Sequence, residues 1–380
     1  MTPLLRIEEP GSAAPSPPSL RAWLALGFRP LYMFGAAWAA IAIALWSFVP
    51  QVLPSTLGGL AWHAHEMLWG FVATIAVGFL LTAGANWTGL NPLPRPWLAL
   101  AVALWATARV ALLVDDSRAF AVGALADVAF FALAAGALGR AVEKARNARN
   151  AGLALLLAAL AAADAAFLRQ VQAGDVAVAL GWAQVGLGAM ALVALLIARR
   201  VTPFFAMRAV PGLQIPLQQR SGQVQLAAAG LGIVASVAGW PWPAAAAMAA
   251  AGAIALWQVV SWKPAAVRTR PILWILYLGH AGVGAGLLVA AAHLVGAIGT
   301  RAAHVHVIAL FGFAVLIIGM ITRTALGHLG RALVLDRSMV ASYVLVLAAA
   351  ALRLAALVPT PLAAGLLHAS ALAWIAAFGL

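Results

Sequence analysis

The sequence predicts an all-α fold, a polytopic membrane helical bundle of about 12 transmembrane helices with both termini cytoplasmic. Three observations predict it. Hydrophobic residues make up 65% of the 380 and charged residues 9%, against about 25% charged in a soluble domain. Apolar runs of roughly twenty residues recur along the whole length, each long enough to cross a hydrocarbon core of about 30 Å. Alternating ten-residue strand patterns are absent, and lipid admits only helices or closed barrels because backbone polar groups must pair internally.

Taken in order, the candidate spans are about 30–50, 65–86, 96–114, 119–138, 151–168, 176–198, 224–240, 243–262, 271–293, 302–322, 339–357 and 361–379. The joint between the seventh and eighth is the motif GWPWP (Gly239 to Pro243), which reads as a tight turn or a kink. The longest connection, about 199–223, reads as a structured cytoplasmic segment or a linker between halves. Residues 1–29, with Glu8, Glu9 and several prolines and no apolar h-region, read as a flexible cytoplasmic tail without a cleavable signal. Residues 30–380 then form a single transmembrane domain.

The basic residues orient this bundle. Arg6, Arg21 and Arg29 lie in the tail. The connections after even-numbered spans hold Arg95, then Arg140, Lys144, Arg146 and Arg149, then Arg199, Arg200, Arg208 and Arg220. Lys263, Arg268, Arg270, Arg323, Arg331 and Arg337 follow on the same side, making 18 of the 23 lysines and arginines. Arg109, Arg118, Arg169, Arg301 and Arg353 belong to the opposite side. The positive-inside rule therefore puts both termini in the cytoplasm, and a miscounted span would have scrambled the alternation. Trp46, Trp62, Trp97, Trp240, Trp242 and Trp262 near span ends fit an interfacial aromatic belt.

The formal charge of +13 sits in short loops, where topology and anionic headgroups account for it, so a nucleic-acid partner is excluded and the lipid bilayer is the expected one. The chain has no cysteine. That excludes disulfides, iron–sulfur clusters, thiolate-ligated haem, cysteine-type copper sites and the CxxCH attachment of c-type haem.

Histidine carries the chemistry. His63 and His65 open the second span, His293 closes the ninth, and His304 and His306 open the tenth, so five of eight share one outer layer. His280 lies about nine residues into the ninth span, or roughly 13 Å deep, and His368 about seven residues into the twelfth, or roughly 10 Å. His328 alone is on the cytoplasmic side. An interfacial histidine often only meets headgroups or water. Intramembrane ionisable residues, however, mark function, and imidazole is the commonest ligand for haem iron, copper and zinc. In HAH (His63, His65) and HVH (His304, His306) the rings are about 200° apart around a helix. Either the helix end is unwound so that both reach one ion, or each histidine serves a different centre.

Other side chains extend this set. Gly282 and Gly286 near His280 form a GxxxG pair for close helix packing, or leave a slot for a porphyrin. Glu66 beside His65 can orient an imidazole, relay protons or face water, and is the candidate catalytic residue. Asp127 and Asp164 are the deepest carboxylates, each either paired structurally or part of an ion pathway. Met67 and Met320 are possible soft ligands for Cu(I), or packing residues.

Several segments together resemble a known family. They are FRPLYMFGAAW (Phe28 to Trp38), WHAHEMLWGF (Trp62 to Phe71), GFLLTAGANWTG (Gly78 to Gly89) and the stretch from His304 through GMITRTALGHLGR (Gly319 to Arg331). They are similar to the NnrS family of bacterial haem- and copper-containing membrane proteins linked to nitric oxide metabolism. The resemblance implies a multi-pass protein of the bacterial inner membrane with haem b and copper, nitric oxide as ligand or substrate, and a role in denitrification and nitrosative stress. If an enzyme, it would be an NO-reducing oxidoreductase. On this expectation one histidine each from HAH and HVH share an outer centre, His280 or His368 completes a deeper site, and Arg301, Arg323 and Arg331 are candidate partners of haem propionates. Glu66 would admit protons from the outer side, with the electron donor undetermined. The rival reading is a twelve-helix secondary transporter without redox cofactor. The sequence shows no obvious basic–acidic coupling set at mid-membrane to support it.

Overall fold

Backbone groups in lipid have only each other to bond, and the apolar segments accordingly fold as helices. The computed structural model describes residues 19–380, and all regular structure among them is helical. The expected tail up to residue 18 lies outside the described residues. Leu20–Trp23 forms a single helical turn. The long helices are α1 (Phe28–Phe48), α2 (Gly59–Thr88), α3 (Arg95–Ala111), α4 (Ser117–Lys144), α5 (Ala151–Gln172) and α6 (Val176–Ala209). They continue as α7 (Gln219–Val237), α8 (Pro241–Ser261), α9 (Pro271–Leu294), α10 (Arg301–His328), α11 (Arg337–Ala355) and α12 (Ala363–Gly379). By length and composition, nine are long and apolar enough to cross a membrane. Those outside that group are α3 and α12, with 17 residues each, and α7, whose first turns carry Gln219, Arg220 and Gln223.

Local chemistry fixes where the helices begin. Asp116, Asp175 and Asp336 cap α4, α6 and α11 by accepting hydrogen bonds from backbone N–H groups of the first turn, which satisfies donors the helix itself leaves free. The GWPWP motif is a turn: Gly239 takes φ 72° after α7, and Pro241 starts α8, where its missing N–H is not needed. The 199–223 connection is largely structured. Its first part continues α6 through Pro203 to Ala209, and Ile215 then packs in a small core with Trp262, Ile272, Tyr277 and Leu326.

Sequential helices pack as neighbours, and α12 closes onto α1, where Trp374 Nε1 donates to the Ala39 carbonyl at 2.9 Å. At the centre lies α2. Its most apolar window is 83% buried, against 28% for α11. The second enclosed element is α9, pressed along α10. Gly282 and Gly286 make that approach possible: a Cβ at Gly282 would strike the Phe311 carbonyl, and one at Gly286 would strike Ile308. The space beside both glycines is therefore filled by α10, which is the packing role of the two readings for this GxxxG pair.

Two predictions follow from these contacts. Gly282→Val meets backbone on α10, which cannot yield like a flexible side chain. It should cost about 1–3 kcal/mol as an overpacking substitution, read as a lower thermal midpoint in detergent; an unchanged midpoint would contradict the close approach. The second concerns the exposed Asp115, which accepts from Ser55 Oγ at 2.9 Å and from the Thr56 amide at 3.3 Å. These bonds hold its carboxyl below the ordinary value of 3.8. A depressed carboxyl stabilises the fold above its unfolded pKa, and that contribution fades as pH falls through the folded value. The difference in thermal midpoint between wild type and Asp115→Asn should thus be constant above about pH 5 and shrink below about pH 4.

Candidate functional site: a buried ionisable cluster and a histidine-lined cavity

Helices α2 to α5 each bring ionisable side chains to one point. His65 and Glu66 come from the first turns of α2, Arg109 from the last turn of α3, Asp127 from α4 and Asp164 from α5. Arg109 is 2% exposed and the other four are fully buried. Glu66 Oε1 meets His65 Nδ1 at 2.8 Å. Its Oε2 accepts from Trp38 Nε1 at 2.7 Å and from Arg109 Nη1 at 2.6 Å. The other Arg109 terminal nitrogen donates to Asp127 Oδ2. His65 Nε2 lies 3.0 Å from Asp164 Oδ1 and 3.2 Å from Asp127 Oδ2. Both carboxylates keep one oxygen without a partner, Asp127 Oδ1 and Asp164 Oδ2.

The backbone of α2 is shaped around this cluster. Residues Glu66–Ala73 form a π-helical stretch, a wider winding often found at functional sites. Polar groups that it loosens are met locally: Thr74 Oγ1 donates to the Trp69 carbonyl at 2.9 Å, and Trp105 Nε1 reaches the Gly70 carbonyl at 3.2 Å. Gly70 is required here, because a Cβ would collide with Arg109 and with Glu66 Oε2. The α10 helix repeats the design. Its π stretch, Val307–Ala314, also begins three residues after the first histidine of an HxH pair and contains Gly312-Phe313, as α2 contains Gly70-Phe71.

The HxH rings diverge. His304 turns towards His293, with ring centroids 5.2 Å apart, and its Nε2 pairs with Gln184 Oε1 at 3.0 Å. His293 Nδ1–H donates to the Ile298 carbonyl at 2.8 Å, which leaves Nε2 as a free lone pair. Both rings, Arg301, Gln184 and Ser236 line a cavity of about 480 Å³ between α6, α7, α9 and α10, otherwise walled by apolar side chains such as Trp182, Leu187, Ile233 and Leu287. That volume falls within the range of small-molecule and cofactor sites, about 300–1,000 Å³. His306 faces away from this cavity. Its Nδ1–H donates to the Ala302 carbonyl at 2.7 Å, again freeing Nε2. His63 stacks on Trp46 at 4.2 Å, with Nδ1 unpartnered, and has His306 and Arg353 in its surroundings.

The remaining candidates stand apart. His280 is buried between α8 and α9, with Nε2 3.0 Å from Gln258 Oε1 and its ring 4.8 Å from Trp262. His368 is exposed on α12 and stacks on Phe48. Arg323 lies over the Phe205 ring, 3.8 Å from its centroid, and Arg331 is exposed in the α10–α11 connection. Neither lines the cavity. Met320 borders a small apolar space of about 80 Å³ with Tyr32 and Met190, without a histidine, and Met67 packs at the edge of the core.

Sequence reasoning found the members of the buried cluster singly and missed their union. Arg109 was counted as a loop charge, yet it is the only arginine of the cluster. The sequence shows no obvious basic–acidic set at mid-membrane; the structure joins these five residues, dispersed over four helices, into one ionic cluster. A signal was present, since each of four successive helices carries ionisable groups within about 15 Å of the same end at 1.5 Å per residue.

These features define a polytopic helical membrane protein with a buried ionisable cluster and a histidine-lined cavity inside its bundle. The chain matches the family described as NnrS protein over residues 22–380. It belongs to the NnrS family. No curated protein matches it.

Charge pairing in the cluster is testable. Arg109→Met leaves three buried carboxylates facing one histidine and should destabilise the protein by about 3–5 kcal/mol. Adding Asp127→Asn should recover part of the loss, read by thermal unfolding in detergent. Strictly additive losses would show that the two side chains act independently.

Proposed function

We propose that the protein is a haem- and copper-binding protein of nitric oxide metabolism and nitrosative-stress response in the bacterial inner membrane, binding NO or reducing it at a histidine-ligated centre. Twelve spans with both termini cytoplasmic are part of this reading. The positive-inside split supports them, as does the helical folding of the three segments shorter or more polar than the rest. Family membership supports the link to nitric oxide.

The observation that carries the proposal is the cavity of about 480 Å³ bearing His293, His304 and Arg301. Its residues fit a flat, amphiphilic haem: apolar walls for the macrocycle, an imidazole whose Nε2 is freed by the Ile298 carbonyl, and a guanidinium for a propionate. Haem iron held there would supply the position at which NO binds. Imidazoles suit copper as well, and His63 with His306 supplies one ring from each HxH pair, as expected for a shared outer centre. Trp46 holds the His63 ring by stacking, and the Ala302 carbonyl fixes the His306 tautomer, so neither ring has to be ordered when the ion arrives. Glu66, fully buried with both oxygens engaged, acts on His65 as an orienting acceptor.

A second reading, the secondary transporter without redox cofactor, gains from the buried cluster, which is the kind of charged set such proteins use at their binding sites. The two readings separate on the purified protein. The proposal expects His293→Ala and His304→Ala each to lose most of the haem absorption while keeping copper. His63→Ala and His306→Ala should lose copper while keeping haem. A wild-type protein with neither haem nor copper would leave the transporter reading standing.

A further inference from the structure

We propose that His65, Asp127 and Asp164 form a binding site for one divalent metal cation, separate from the haem cavity, with Glu66 as the acceptor that orients the histidine. His65 Nδ1 faces Glu66 Oε1 at 2.8 Å. With Nδ1–H donated there, the Nε2 lone pair points at two carboxylate oxygens, 3.0 and 3.2 Å away. A lone pair against two anions is repulsive unless a positive charge, a proton or a metal ion, lies between them. The three ligand atoms are within 4.8 Å of one another. The two nitrogen–oxygen spacings match ligands placed side by side on one ion at bond lengths of about 2.0–2.2 Å.

Charge gives an independent count. Glu66, Asp127 and Asp164 carry three negative charges in a region where all are fully buried, and Arg109 is the one guanidinium bonded to them. With neutral His65 the deficit is two, the charge of a divalent ion. Asp127 Oδ1 and Asp164 Oδ2 are buried, unpartnered and part of the same group, which leaves lone pairs for such an ion to use. Glu66 is itself held by Trp38 and Arg109, so the carboxylate–histidine pair that tunes many metal sites is already in place. The donor set is one nitrogen and two oxygens with no sulfur. That selects a zinc- or manganese-type cation over Cu(I). None of these residues lines the cavity that holds His293 and His304.

The test uses full-length protein in detergent, stripped with a chelator and dialysed against Zn2+ or Mn2+ alone, with bound metal counted by mass spectrometry. Wild type should bind one equivalent more than Asp127→Asn or Asp164→Asn, and Glu66→Gln should bind that equivalent about 10- to 100-fold more weakly. His306→Ala and His293→Ala should keep it. Should the aspartate variants fail to fold, pulsed EPR of Mn2+ on wild type decides, with modulation from a single imidazole nitrogen expected. No saturable binding by wild type, unchanged binding in both Asn variants, or Mn2+ without a nitrogen ligand would each overturn the site and leave protons to balance the cluster. Haem absorption, recorded on the same samples, reads the cavity independently.

Discussion

Removing ionised side chains from water without partners costs several kcal/mol each even after relaxation. The interior of this bundle holds five ionisable groups from four helices. They can be buried only together, because each satisfies part of another. Arg109 ties α3 to Glu66 on α2 and to Asp127 on α4, and His65 ties α2 to Asp164 on α5. The arrangement of α2 to α5 depends on this joint. The π winding of α2 places Glu66 and Gly70 beside Arg109.

The same geometry sorts the histidines. Rings two residues apart on a helix face nearly opposite directions, so the two HxH pairs cannot each close on one ion without unwinding. Both helices stay wound. The members of each pair meet different neighbours: His65 the carboxylates and His63 the Trp46 ring, His304 the His293 ring and Gln184, and His306 the Ala302 carbonyl. An HxH motif here is a device for serving two places from one turn of helix. That α10 repeats the α2 design, with Val307 where α2 has Glu66, shows that the winding does not need the carboxylate.

Most of the fold was legible because lipid imposes it. Apolar length gave the helical segments, and glycine and proline in GWPWP resolved into a turn once Gly239 took a positive φ. The site was legible by residue and not by grouping. Periodicity correctly predicted that each HxH pair faces two ways. It carries no information on which distant helices supply the partners, so Gln184, Gln258, Trp38 and Arg353 had no signal. Arg109 was hidden by its place two residues from the end of α3, where an arginine is ordinary. Gly282 and Gly286 had two chemical readings in sequence, and only the backbone of Phe311 and Ile308 distinguishes them.

The central claim is that a histidine-lined cavity inside this bundle holds a haem that meets nitric oxide. The optical spectrum of the purified, reduced wild-type protein before and after addition of NO tests it most directly. The account predicts a Soret band of a b-type haem that shifts on NO addition. A protein folded in detergent with no Soret band, or with one that NO leaves unmoved, would contradict it.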